Sequence, residues 1–475
     1  MKTSTDLKTG NVNSIFTWKD VRRTAVTFIA AAAALQIIFF GLLIVGQAVP
    51  DKPIIDNLAQ AAEKGTYGYS GAADRMGGTS DTFTECVVAG TGLGSIDKNA
   101  FQRAIVMPRI GSCQQGKKQI LELAATGRID PAQVGEYYRY WAGYTVITRP
   151  IIATVGLSGM RVVAGALLVA GLLVSFATLA RRTSKWAAVG LLGPLILATN
   201  LMSTPSTSFS QSLSISVILF GTAITAWAAS KSIKAMVFGV GLSAALFCYM
   251  DLLTTPAIPW AFCTAVVVAI AYLKTRRVKY VLLSGALATG AWIIAFAGTW
   301  ASRWAFAALF LGMRTTYKNV RKTVDFRTEG EYKTVDKSIF APSAANWNYW
   351  VNFMPTAILI LAICALTIII FLGVASKRNG WQTLLFWLVL SLPALIIFVW
   401  YEVLSNHSQI HAFFTYRGIP SAIGVLTFAA VVLALRKVPE TAPEFVEQDK
   451  LVRTALTKAA ADELGHTTRL EATRN

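Results

Sequence analysis

Long apolar runs, separated by short basic connections and by three polar segments, set the pattern of this chain. Ten runs read as membrane spans, near 24–48, 158–180, 186–202, 211–230, 235–253, 257–273, 280–299, 355–375, 382–404 and 418–435. Crossing a ~30 Å hydrocarbon core takes about 20 apolar residues in a helix. No water is there to satisfy backbone groups, so each span is expected to be helical. Runs 186–202 and 257–273 are short for the task and would tilt little or thin the bilayer locally. The polar segments cover 50–150, 299–354 and 402–417, the last with its chemistry in 405–417. The predicted fold is all-α and integral to a membrane, with about ten transmembrane helices. Two long extracytoplasmic loops follow spans one and seven, and both termini are cytoplasmic.

Spacing inside the polar segments predicts further elements. Ile54, Ile55, Leu58, Ala61 and Ala62 recur at helical intervals over Asp51 to Lys64. Residues 65–80, rich in Gly and Tyr, read as loop. Lys117 to Thr126 reads as a short helix stopped by Gly127. Pro131 to Tyr144 reads as an interfacial helix, because Tyr137, Tyr138, Tyr140, Trp141 and Tyr144 favour the headgroup level. Residues 300–314 read as an amphipathic or partly buried helix, and Trp347, Tyr349 and Trp350 mark a return to the interface. Ala-rich patterning over Asp449 to Leu464 reads as helix in a small cytoplasmic tail.

Charge fixes the expected orientation. Only 15% of residues are charged, against about a quarter in soluble domains, while 54% are hydrophobic. The net charge of +19 raises nucleic acid as a partner, but its placement argues otherwise. Arg181, Arg182 and Lys185, then Lys231 and Lys234, then Lys274, Arg276, Arg277 and Lys279, then Lys377 and Arg378, then Arg436 and Lys437 occupy alternate connections. Lys19, Arg22 and Arg23 precede the first span, and connections 203–210 and 254–256 carry no Lys or Arg. This is the positive-inside bias, with no acid interrupting the five clusters. Residues 1–23 and 436–475 are then cytoplasmic, and 24–435 form the membrane domain. The first apolar run is too long for a cleaved signal peptide, so it is expected to remain as a span. A bacterial plasma membrane is the expected location.

Cys86 and Cys113 lie in the first outer segment, where a disulfide is permitted and expected. Cys248, Cys263 and Cys364 fall within spans and read as small packing residues.

Three constellations could carry chemistry. Asp251 closes span five, and a carboxylate beside hydrocarbon normally faces the bundle or a wet cavity. Asp81 and Glu85 stand one helical turn apart, suited to dividing base and positioning roles. The bland reading makes Asp81 a helix N-cap. Asp51 and Asp56, just past span one, are weaker acids for the same work. His407 and His411 share a helical spacing, but a third ligand and an intervening acid are missing, so zinc is not expected. With Tyr416 and the planar fork of Arg417, the pair instead suits phosphate, or else an interfacial belt. Arg139 and Arg149 flank Tyr140 and Trp141 and read as snorkelling cations or anionic-headgroup binders; Arg303, Arg314, Lys318 and Arg321 repeat the theme. No phosphate loop, dinucleotide fingerprint or serine elbow occurs, so no nucleotide cofactor is expected.

The layout resembles the class C glycosyltransferases, polytopic enzymes that take sugar from polyprenyl-phosphate donors. The resemblance rests on the long outer loops after spans one and seven. Asp81-Thr-Phe-Thr-Glu85, Tyr140-Trp-Ala-Gly-Tyr-Thr-Val-Ile-Thr-Arg-Pro150, Asp251-Leu-Leu-Thr-Thr-Pro256 and Asn406-His-Ser-Gln-Ile-His411-Ala-Phe-Phe-Thr-Tyr-Arg417 are similar to segments of bacterial multispan proteins of surface-polysaccharide assembly. The family's acidic pair directly after span one is not reproduced, since Lys52 follows Asp51. The resemblance implies sugar transfer from a polyprenyl phosphate to a cell-envelope glycan or lipid acceptor. Asp81, Glu85 or Asp251 would act as base, and Arg417, with Arg139 or Arg149, would hold phosphate. A divalent cation is left open. Two other classes stay in view: a transporter or flippase for a lipid-linked or anionic substrate, and a non-catalytic scaffold of an envelope-assembly complex.

Overall fold

The computed structural model describes residues 18–252, 254–328 and 335–435. The N-terminal segment before residue 18, Arg436, Lys437 and the tail with its expected helix lie outside the described residues. The chain divides into a main unit, Ala34–Pro439, and a second made of its end segments, Met1–Ala33 and Glu440–Asn475. Of the latter only 18–33 is described, the beginning of α1 (Trp18–Ala48).

A folded cap follows α1. It contains α2 (Asp51–Glu63), α3 (Thr82–Gly90), α4 (Ala100–Val106), β1 (Pro108–Arg109), α5 (Cys113–Thr126) and β2 (Gly135–Glu136). The apolar stripe of α2 is buried as its spacing predicts. Gly127 ends α5 in the left-handed conformation, also as expected. Residues 131–144, in contrast, form no interfacial helix: a single 3-10 turn leads into β2, which pairs antiparallel with β1. The aromatic side chains expected at the headgroups are buried, Trp141 completely. Tyr137, Tyr140, Trp141 and Tyr144 build the cap's core together with Phe39, Leu43, Leu58, Met107 and Ile120. The backbone carries the reason: Ala142 has φ +57°, and a Cβ on Gly143 would sit 2.3 Å from the Tyr249 ring. A left-handed residue interrupts an α-helix, and glycine admits the close approach to Tyr249.

The bundle continues with α6 (Thr145–Arg182), α7 (Lys185–Leu197), α8 (Thr204–Thr207), α9 (Phe209–Lys231), α10 (Ile233–Met250), α11 (Ala257–Thr275) and α12 (Val278–Leu311). Then come α13 (Met313–Thr328), α14 (Ala341–Phe353), α15 (Ala357–Asn379), α16 (Gln382–Ser391), α17 (Leu395–Val403), α18 (Ser405–Ile410), α19 (Ala412–Thr415) and α20 (Gly418–Ala434). Among the described residues, nine helical stretches are long and apolar enough to cross a membrane, and a bent pair makes up to ten. Helices α9, α11 and α20 are mostly buried, whereas α12 and α15 expose most of their apolar surface, as helices facing lipid do. Residues 300–311 are helical as expected and partly buried, continuing α12, which runs unbroken for 34 residues until Gly312, φ +92°, stops it.

Two crossing helices are broken. In α6, Gly156 adopts φ 69°, ψ −173°, a region open essentially to glycine alone. Asn57 Nδ2 caps the first half by donating to the carbonyls of Ile152 and Ala153, at 2.8 and 3.2 Å. Helix α7 has 13 residues, about 20 Å, too short for the hydrocarbon core. It pairs with 201–207 across a 68° bend, and Asn200 stands at the break. The run 186–202, expected as one short span, is therefore a bent pair instead.

Basic residues gather at the end of the bundle away from the cap. Lys274 donates to the carbonyls of Ala229 and Ser230, Arg276 to that of Leu435, and Arg378 to that of Leu433.

Candidate functional site

The three polar segments meet. Trp141 Nε1 donates to the Thr299 carbonyl at 2.6 Å, and Arg303 donates to the carbonyls of Tyr140 and Ile105. Asn319 bonds the Tyr138 hydroxyl, Asn406 the Phe326 carbonyl, and the Gln409 amide the Asp336 carbonyl. Thr79 N donates to Tyr349 Oη at 2.9 Å.

Where they converge on the break after α7, a buried polar chain forms. Asp81 is the N-cap of α3, and its Oδ1 accepts from the amide and hydroxyl of Thr84. Its Oδ2 accepts from Gln211 Nε2 at 2.6 Å. The Oε1 of Gln211 in turn accepts from Arg417 Nη1 at 2.9 Å. Arg417 spends Nε and Nη2 on Asn200 Oδ1, at 3.3 and 2.9 Å. Asn200 Nδ2 reaches Asp74 Oδ2, which also accepts from Ser203 and Thr207. The Tyr416 hydroxyl donates to Asn200 Oδ1 at 2.8 Å and so helps fix the same amide. All of these side chains are buried except Ser203 and Thr207, which are half-buried.

The separation of charges in this chain sets it apart. Arg417 lies between Asp81 and Asp74, yet among the described residues it forms no direct ion pair. Its donors end on two neutral amides, which are weaker partners than carboxylate or phosphate. Burial pushes the Asp81 carboxyl from its ordinary 3.8 up to about 6, against the opposing pull of Thr84, Gln211 and Arg417.

The other charged candidates are paired directly. Glu85 receives Arg161 Nη2 at 2.5 Å and the amide of Phe209 at 3.0 Å, joining α3 to α6 and α9. Asp51 accepts from Arg103 and, at 2.6 Å, from Arg149. Arg149 also donates to the carbonyls of Gly46 and Val49, so it ties the end of α1 to the start of α6. Asp56 pairs with Lys52 on the exposed face of α2.

Asp251 engages α9 one turn from Gln211, through Ser214. It caps the end of α10, accepting from Ser214 Oγ at 2.6 Å and from the amide and hydroxyl of Thr254. With Tyr140, Cys248, Phe296 and Trp300 it lines a small recess. His407 and His411 do share a face, with ring centroids 4.8 Å apart, inside an aromatic cluster with Trp400 and Phe414. Arg139 is exposed and rests over the rings of Tyr137 and Tyr140.

The expected disulfide is not formed: Cys86 and Cys113 are both thiols. A hydrogen bond between the two, followed by burial, pushes the Cys86 thiol up and holds it protonated. Cys86 Sγ also faces the Tyr69 carbonyl, and Cys113 Sγ that of Thr82.

Asp74, Asn200 and Gln211 were absent from the expected site. A signal existed for two of them. Asn200 ends a run too short to span, and Gln211 belongs to a polar series, Ser208, Ser210, Ser212, Ser214 and Ser216, inside an apolar helix. Asp74, in a loop, carried none.

The chain matches no protein-family model, no curated protein and no solved structure.

Proposed function

We propose that this chain transfers a sugar from a polyprenyl-phosphate donor to a cell-envelope glycan or lipid acceptor, with Asp81 as the base and Arg417 as the phosphate ligand. The observation that supports this most is the amide-spaced chain Asp81–Gln211–Arg417–Asn200. A phosphate oxygen is a stronger acceptor than the amide oxygens Arg417 now holds, so exchange is favourable. A carboxyl near 6 is mostly ionised at neutral pH yet basic enough to take a hydroxyl proton. Glu85, already ion-paired, is then a positioning residue. In the reaction the acceptor oxygen attacks the anomeric carbon, its proton passes to Asp81, and the sugar–phosphate bond breaks with inversion. Arg417 holds the departing polyprenyl phosphate. Entry requires residues 72–80 to lift, because Asp74 fastens that loop over the break.

Movement of a lipid-linked substrate is the second reading. The breaks in α6 and α7 favour it, since transporters build midplane sites from broken helices. One experiment separates the two. Full-length protein in proteoliposomes is given a labelled polyprenyl-phosphate sugar and an envelope acceptor. Transfer that falls about 100-fold or more in D81N supports the enzyme. Full transfer in D81N removes the proposed base, and movement across the bilayer without transfer favours the transporter.

A further inference from the structure

Helix α13 carries a charge pattern that the polar network does not use. Arg314, Tyr317, Lys318, Arg321, Lys322 and Asp325 recur at i, i+3, i+4, i+7, i+8 and i+11, and together they line one open groove. All six are exposed, and the single acid is loosely paired with Arg321 at 3.7 Å. The opposite face holds buried Thr316 and half-buried Val320 and Thr323. Asn319 pins the helix to Tyr138. The helix is thus fixed in place with four cations turned outward.

A face turned only to water would not border uncovered apolar side chains, yet Leu309 is 76% exposed and Met313 73%. Phe310 and Tyr317 are exposed beside them. All four lie at the junction where α12, an apolar helix of 34 residues, passes into α13. Such a helix is about 51 Å long. Tilted as crossing helices commonly are, it traverses the hydrocarbon core and reaches the headgroup layer. Apolar side chains at that junction meet acyl chains, and the basic stripe beyond them meets headgroups.

We propose that α13 is an interfacial helix that binds anionic phospholipid headgroups, with Arg314, Lys318, Arg321 and Lys322 as the phosphate ligands. This holds whichever reaction the chain performs. Full-length protein, delipidated in detergent, is titrated with phosphatidylglycerol or phosphatidylcholine while native mass spectrometry counts retained lipid and melting is followed. Wild type is expected to retain phosphatidylglycerol preferentially and to melt higher with it. The R314Q/K318Q/R321Q/K322Q variant should lose that retention about tenfold or more. R314K/R321K, which keeps the charge, should behave as wild type and shows that the loss is not misfolding. K64Q/K98Q/K118Q/R128Q removes four exposed cations of the cap and should change nothing. Equal retention in the α13 variant, an equal loss in the cap variant, or the same stabilisation by soluble glycerol phosphate would each overturn the proposal.

Discussion

Asp81 and Arg417 are buried charges held at one remove by amides, and their behaviour follows from that. The folded protein binds the Asp81 proton more tightly than the unfolded chain does, since burial lifts the carboxyl from 3.8 to about 6. Its contribution to stability is therefore full below the lower value and is lost as pH rises through the upper one. Denaturation of wild type and D81N from pH 4 to 7 should show wild type losing ground steadily; a constant difference would contradict the assignment. Sugar transfer should move the other way, rising through pH 6 as the base ionises. Arg417 presents a planar fork to two amides, which a lysine ammonium cannot do. R417K should keep the fold and lose most transfer. R417A, which leaves the buried Gln211 Oε1 without its donor, should cost about 1–3 kcal/mol of stability.

Elements owe their shape here to single residues at breaks. Helix α6 would be continuous but for Gly156, whose φ and ψ suit no other residue well. Space is not the constraint, because a Cβ there would meet Asn57 at an ordinary 3.7 Å. The cost of G156A is therefore conformational, about 1–3 kcal/mol, and a lower thermal midpoint in detergent is the expected readout. An unchanged midpoint would mean that α6 straightens without loss. The break after α7 works differently: it leaves Asn200 between two helical pieces, where its amide serves Arg417 on one side and Asp74 on the other. Apolar periodicity alone made 186–202 a short span and could not show that its end turns inward.

In the whole molecule, direct ion pairs anchor the cap to the bundle, and the Glu85–Arg161 pair tests that arrangement. Glu85 is nearly inaccessible, whereas the Arg161 side chain is 21% exposed. R161Q, which strands a buried carboxylate, should cost more than E85Q, and about 3–5 kcal/mol. The double variant E85Q/R161Q should cost less than the sum of the two, as measured by a double-mutant cycle in denaturant. Additive losses would show that the pair is not coupled. The sequence by itself determined the membrane-spanning helices and the three polar segments, because an apolar run and a charge each carry their meaning locally. It also marked Asp251 as a costly charge near hydrocarbon, and Asp81 and Arg417 as candidates in the outer segments. Only the tertiary structure decided which charges pair. Arg149 and Glu85 read as site residues in the sequence, and the fold pairs them with Asp51 and Arg161, 98 and 76 positions away. Arg417 finds Gln211 across 206 positions, Asn200 across 217, and through them the two acids. The aromatic run 137–144 reads as an interface in one dimension and packs as a core in three. In each case the deciding energy is desolvation, which depends on what the folded chain places around a group and not on its neighbours in sequence.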